Sequence, residues 1–75
     1  MISTITIDND SIAFYNEIGY FHRINGPAII ENNKCQEWRF NGYPHRINGP
    51  AMSCKNGSEA WYIHGIKIKY LVKSQ

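Results

Sequence analysis

The sequence is notable first for what it does not contain. No stretch approaches the roughly 18 consecutive apolar residues that a membrane-crossing helix requires. Its opening, Met1-Ile2-Ser3-Thr4-Ile5-Thr6-Ile7-Asp8, has neither the basic start nor the apolar run of a secretory leader. These absences predict a cytoplasmic protein, in the host cytoplasm if the source is viral, with no membrane partner. Cys35 and Cys54 are then expected as thiols. The formal net charge is only +2, without the dense basic stripe of a duplex-DNA binder, so nucleic acid is a disfavoured partner. There is no Gly-x-Ser-x-Gly elbow, glycine-rich phosphate loop or His-Glu-x-x-His. Asp8, Asp10, Glu17, Glu31, Glu37 and Glu59 are dispersed singly, apart from the Asp8/Asp10 turn pair. No catalytic residue is identified, the chain is expected not to be an enzyme, and no cofactor is implied. His22, His45, His64, Cys35 and Cys54 form no C-x-x-C or H-x-x-x-H pair, which argues against a metal.

What is present is a duplication. His-Arg-Ile-Asn-Gly-Pro-Ala occurs as His22 to Ala28 and again as His45 to Ala51, offset by 23 residues. Gly19-Tyr20 matches Gly42-Tyr43 upstream, and Asn33 matches Asn56 downstream. At the same offset Tyr15, Trp38 and Trp61 fall in one column, and Gly19, Gly42 and Gly65 in another. Further on, Ile68-Lys69-Tyr70 replaces His-Arg-Ile and the Asn-Gly-Pro-Ala is lost, as in a divergent capping copy. At 75 residues this is one domain. It divides into an N-terminal strand and turn (1–10), a first repeat (11–33), a second (34–56) and a degenerate capping repeat (57–75).

Each unit reads as short strands. Glu37-Trp38-Arg39-Phe40 alternates, with Trp38 and Phe40 on one face and Glu37 and Arg39 on the other, and Trp61 and Ile63 likewise share a face. Asn41-Gly42 and Asn56-Gly57 are hairpin signals, since both residue types accept positive φ. In the heptapeptide, Pro27 and Pro50 follow the Asn-Gly and lack an N–H, so a bulge or wider loop is expected, with proline opening the next strand. Ile2 to Ile7 reads as one more strand. No window has a helical period with caps. The predicted fold is all-β, an antiparallel β-meander of tandem 23-residue hairpin repeats with seven or eight strands.

An aromatic-x-x-x-Gly followed by His-Arg-x-x-Gly-Pro-Ala at this period resembles the divergent MORN-type repeats of bacteria, bacteriophages and large viruses. The resemblance spans about residues 11 to 70 and is carried by Trp38, Gly42, His45, Arg46, Gly49, Pro50 and Ala51. It implies a scaffold for binding; some members resemble antitoxins, and phage versions are small accessory proteins. The Tyr-x-Gly and second strand glycine of typical members are missing, so no phosphoinositide or membrane role is carried over.

The residues leave two readings of the His-Arg pairs. Either His22, Arg23, His45 and Arg46 form a cationic row that grips a partner, or they hold the loops by bonding carbonyls near Asn25-Gly26 and Asn48-Gly49 or stacking on Tyr20 and Tyr43. Trp38 and Trp61 are the expected core ladder, leaving Phe14, Tyr62 and Tyr70 for a second, associating face. The candidate binding set is therefore His22, Arg23, His45, Arg46, Tyr62 and Tyr70. The expected function is a small non-enzymatic binding protein that masks or sequesters a protein partner, as an inhibitor, antitoxin or phage accessory protein does. The alternatives are an oligomeric sponge for a small nucleotide-like anion and a single-stranded nucleic-acid binder. Association into a homo-oligomer is expected, and Cys35 and Cys54 come close enough to bond if their strands pair.

Overall fold

The computed structural model describes residues 2–32 and 34–72. Among them are nine strands and no helix: β1 (Thr4–Ile7), β2 (Ser11–Tyr15), β3 (Ile29–Glu31), β4 (Cys35–Glu37), β5 (Arg39–Phe40), β6 (Tyr43–Pro44), β7 (Met52–Cys54), β8 (Glu59–Ile63) and β9 (Ile66–Leu71). Seven form one sheet in the order β1-β2-β3-β4-β7-β8-β9, and β5 and β6 make a separate two-stranded ribbon. Every neighbouring pair is antiparallel. Asn33, matched in sequence with Asn56, lies outside the described residues.

Registration across the sheet explains how so small a chain builds a core. Ile5 pairs with Phe14, and the Phe14 amide donates to the Ala28 carbonyl. The Ile29–Glu37 register, continued by one residue, sets Ala28 beside Trp38, whose amide donates to Ala51. The Met52–Ala60 register likewise sets Ala51 beside Trp61, and Trp61 faces Lys69. One face therefore carries a row in which large and small alternate: Phe14, Ala28, Trp38, Ala51, Trp61. The rings occupy the space the alanines leave, which is why Ala28 and Ala51 are wholly buried. Among the described residues no large side chain is fully buried, and the buried alanines lie on both faces, Ala28 and Ala51 within this row and Ala13 and Ala60 on the opposite side; the molecule measures 37 × 29 × 15 Å, a single thin sheet.

This row corrects the sequence alignment. Phe14, not Tyr15, occupies the Trp38 and Trp61 position; Tyr15 points the other way and stacks on Phe21 with ring centroids 5.0 Å apart. One more residue lies between Phe14 and His22 than between Trp38 and His45. The extra residue is absorbed in the turn, where Asn16 Oδ1 accepts the backbone amides of Ile18, Gly19 and Tyr20.

The other turns follow their local chemistry. Asn41 (φ 50°) and Gly42 (φ 88°) both lie in the left-handed region, as do His64 (φ 48°) and Gly65 (φ 85°), the signature of a tight hairpin turn whose twist suits its strands. Asn56-Gly57 differs from expectation in that only Gly57 has positive φ; the Cys54 amide instead bonds Ser58 across a longer turn. The two heptapeptides form the wide loops that their prolines require, and the strands after them begin at Ile29 and Met52 rather than at proline.

Cys35 and Cys54 face each other in register and are joined by a disulfide, in place of the expected thiols. The Lys55–Lys34 and Trp38–Ala51 backbone bonds flank them, so they sit at a non-hydrogen-bonded pair, where opposed Cα atoms come closest. They lie on the face opposite the aromatic row.

Candidate functional site

The two His-Arg pairs make matching contacts. The Arg23 guanidinium lies 4.1 Å above the Phe14 ring and that of Arg46 lies 3.9 Å above Trp38. One Nη1 of each also donates to a proline carbonyl in its own loop, Arg23 to Pro27 and Arg46 to Pro50, both at 3.2 Å. Each guanidinium is pressed from outside by a glycine. A Cβ on Gly26 would stand 2.9 Å from Arg23 Cζ, and one on Gly49 would stand 3.0 Å from Arg46 Cζ. Neither glycine has positive φ, so what a side chain there would meet is the guanidinium, which would have to shift off its place. Lys69, 23 residues after Arg46, holds Nζ 4.8 Å above Trp61. The aromatic row thus has a cation on every ring. The arginines stack on Phe14 and Trp38, not on Tyr20 and Tyr43. Those tyrosines instead cover the glycines of the next turn, Tyr20 against Gly42 and Tyr43 against Gly65.

The histidines hold the next turn by its backbone. His22 Nδ1 accepts the Asn41 amide at 3.0 Å and His45 Nδ1 accepts the His64 amide at 2.8 Å. The Gly42 and Gly65 amides donate alongside to the carbonyls of Phe21 and Pro44. An accepting Nδ1 is unprotonated, so these imidazoles are neutral with hydrogen on Nε2. Burial lowers both pKa values below 6.5, and for His45 the neighbouring His64 acts in the same direction. The Phe40 ring sits 4.7 Å from that of His22 and 5.9 Å from that of His45.

Between the two loops is an open groove of about 300 Å³, lined by Arg23, Ile24, Trp38, Phe40, His45, Arg46 and Ile47. Ile24 is 63% and Ile47 77% exposed. Of the residues singled out from sequence, Arg23, His45 and Arg46 line this groove, while His22 lies beneath, 3% exposed. Tyr62 and Tyr70 sit apart on the last hairpin; Tyr70 pairs with Ala60, on the face opposite the aromatic row, beneath the Lys67 amine. Phe14 belongs to the stacked row and not to a second aromatic face. Sequence reading missed Ile24, Ile47, Phe40 and Lys69. The offset of 23 pairs Ile24 with Ile47 and sets Lys69 after Arg46, so part of that signal was available.

Among the described residues no three His, Cys, Asp or Glu side chains converge as metal ligands, and no helix is long and apolar enough to cross a membrane. No family model matches the chain, and neither a curated protein nor a solved structure matches it.

Proposed function

We propose that the chain is a small, non-enzymatic binding protein of tandem hairpin repeats, MORN-like in type, which masks a protein partner through its two heptapeptide loops. The observation that carries this reading is the pair of exposed isoleucines, Ile24 and Ile47, held at matched loop tips beside Arg23 and Arg46. Isoleucines this exposed bury little of their surface within the fold, and paired apolar groups beside guanidinium groups suit a partner offering an apolar side chain flanked by carboxylates. Each arginine has only one donor engaged by its own loop, leaving others for an acidic group. The groove is open to solvent, a poor enclosure for chemistry that must exclude water.

A second reading, a small nucleotide-like anion held between the same guanidinium groups, is favoured by the groove volume, which is at the small end of ligand sites. One experiment separates the two. The parent and an Ile24→Asp/Ile47→Asp variant are used as bait in native host lysate, and small molecules released on denaturation are identified in parallel. Loss of a specific protein by the folded variant supports masking. A released anion with no captured protein supports the second reading. Capture that collapses with rising salt points instead to nucleic acid.

A further inference from the structure

The two edges of the sheet differ. β9 is guarded: it carries Lys67 and Lys69 and a register irregularity opposite Trp61/Tyr62, devices that deter pairing with another chain. β1, Thr-Ile-Thr-Ile, has no charge or proline and all four residues are exposed; its register with β2 steps only at its start, where the Ser3 amide donates to the Tyr15 carbonyl. The Asp8–Ser11 backbone bond fixes the alternation of the β1–β2 ladder. Thr4 and Thr6 turn their amides and carbonyls towards β2, and Ile5 and Ile7 turn theirs outward from the sheet.

We infer that β1 is a self-complementary edge and that its partner is a second copy of the chain, joined antiparallel about a two-fold axis at Thr6. In that register Ile5 faces Ile7 of the other copy, and Ile7 faces its Ile5. The outward N–H and C=O groups of both residues then meet as two hydrogen-bonded pairs, and the two threonines face each other at the non-hydrogen-bonded position. The side chains agree with the backbone. Ile5 and Ile7, 52% and 73% exposed, project on the aromatic face, so the apolar row continues across the junction. The contact is closed and symmetric, leaving each copy's guarded β9 as the outer edge. It uses neither heptapeptide loop and stands independently of the proposed function.

The test measures mass by light scattering from about 10 µM to about 1 mM, a range suited to a small interface. Twice 8.7 kDa is expected at the upper end, dissociating on dilution. Ile7→Lys should return the monomer at every concentration, should melt like the parent when both are compared at about 10 µM, where the parent is dissociated, and should still capture any loop partner. Thr6→Cys should form an intermolecular disulfide under mild oxidation, because opposed Cα atoms at such a pair stand about 4.5 Å apart. Thr4→Cys should not, its symmetry mate being displaced by roughly 13 Å along the strands. A mass of 8.7 kDa throughout, a series growing beyond the dimer, or a dimer indifferent to Ile7→Lys that fails to cross-link through Thr6→Cys would each overturn the inference.

Discussion

At the scale of single residues a cation is stacked on each ring of the aromatic row. Arg46 lies between an indole and a glycine, so its energetic role and that of Gly49 are one quantity divided over two positions. Arg46→Ala should lower stability by roughly 1 to 3 kcal/mol, through the lost ring contact and the lost bond to Pro50. Gly49→Ala should also destabilise, although its backbone conformation suits alanine, because the added methyl displaces the guanidinium. In the Arg46→Ala background Gly49→Ala should be nearly silent, and a double-mutant cycle by chemical denaturation measures the coupling. Additive losses would mean that glycine is required there for another reason. The histidines supply a pH dependence. Their folded pKa values are depressed, so the unfolded chain takes up the proton first. Stability should therefore be full above the ordinary value of about 6.5 and fall as pH drops below it towards the folded values. Protonation of Nδ1 also abolishes the acceptor for Asn41 or His64. Melting followed between about pH 8 and about pH 5 should show the decline, and His22→Asn/His45→Asn, which keeps an acceptor but removes the titration, should flatten it.

At the scale of the elements, local chemistry made the Asn41-Gly42 hairpin legible, misplaced the longer turn at Asn56-Gly57 and left the tight turn at His64-Gly65 unread. Asn41-Gly42 needs two left-handed residues and the sequence names them, so Gly42→Val should cost more than about 1 kcal/mol by thermal melt, a β-branched side chain being strained at φ 88°. The antiparallel all-β character was readable from the same turns and from the alternation around Trp38. The aromatic column was misread by one position, because a constant period hides an extra residue accommodated within a turn; only backbone bonds such as Phe14 to Ala28 reveal it. The groove was legible in part. Identity of the heptapeptides selected the His-Arg pairs, but which ring each arginine covers depends on sheet register, which no local signal encodes. The break in the strand at Trp38 and the separate β5–β6 ribbon escaped notice for that reason. Registration also yields a packing prediction. Ala51 fills the slot between two indoles, and Ala51→Leu should overpack it and destabilise by about 1 to 3 kcal/mol, whereas Ile47→Leu, a volume-conserving change at an exposed position, should be nearly neutral in a melting experiment.

At the scale of the whole molecule, a sheet this thin, with no large side chain fully buried among the described residues, has little apolar reserve, and the disulfide contributes correspondingly more. Reduction should lower stability by about 3 kcal/mol, the chain-entropy value for a loop of this size, measured by denaturant midpoints with and without reductant. The cystine also gives the polypeptide a topology that its matched loops conceal. Between Cys35 and Cys54 the chain is a closed ring, and on either side it is a free tail. The loop containing Arg46 lies on the ring and its twin containing Arg23 on a tail. A single tryptic cut after Arg46 therefore leaves one covalent molecule, while the equivalent cut after Arg23 releases a fragment from the denatured chain, a difference visible by electrophoresis without reductant. Two loops alike in sequence and contacts are in this sense not interchangeable: the second can be opened, lengthened or grafted with foreign sequence and the halves of the molecule stay tethered.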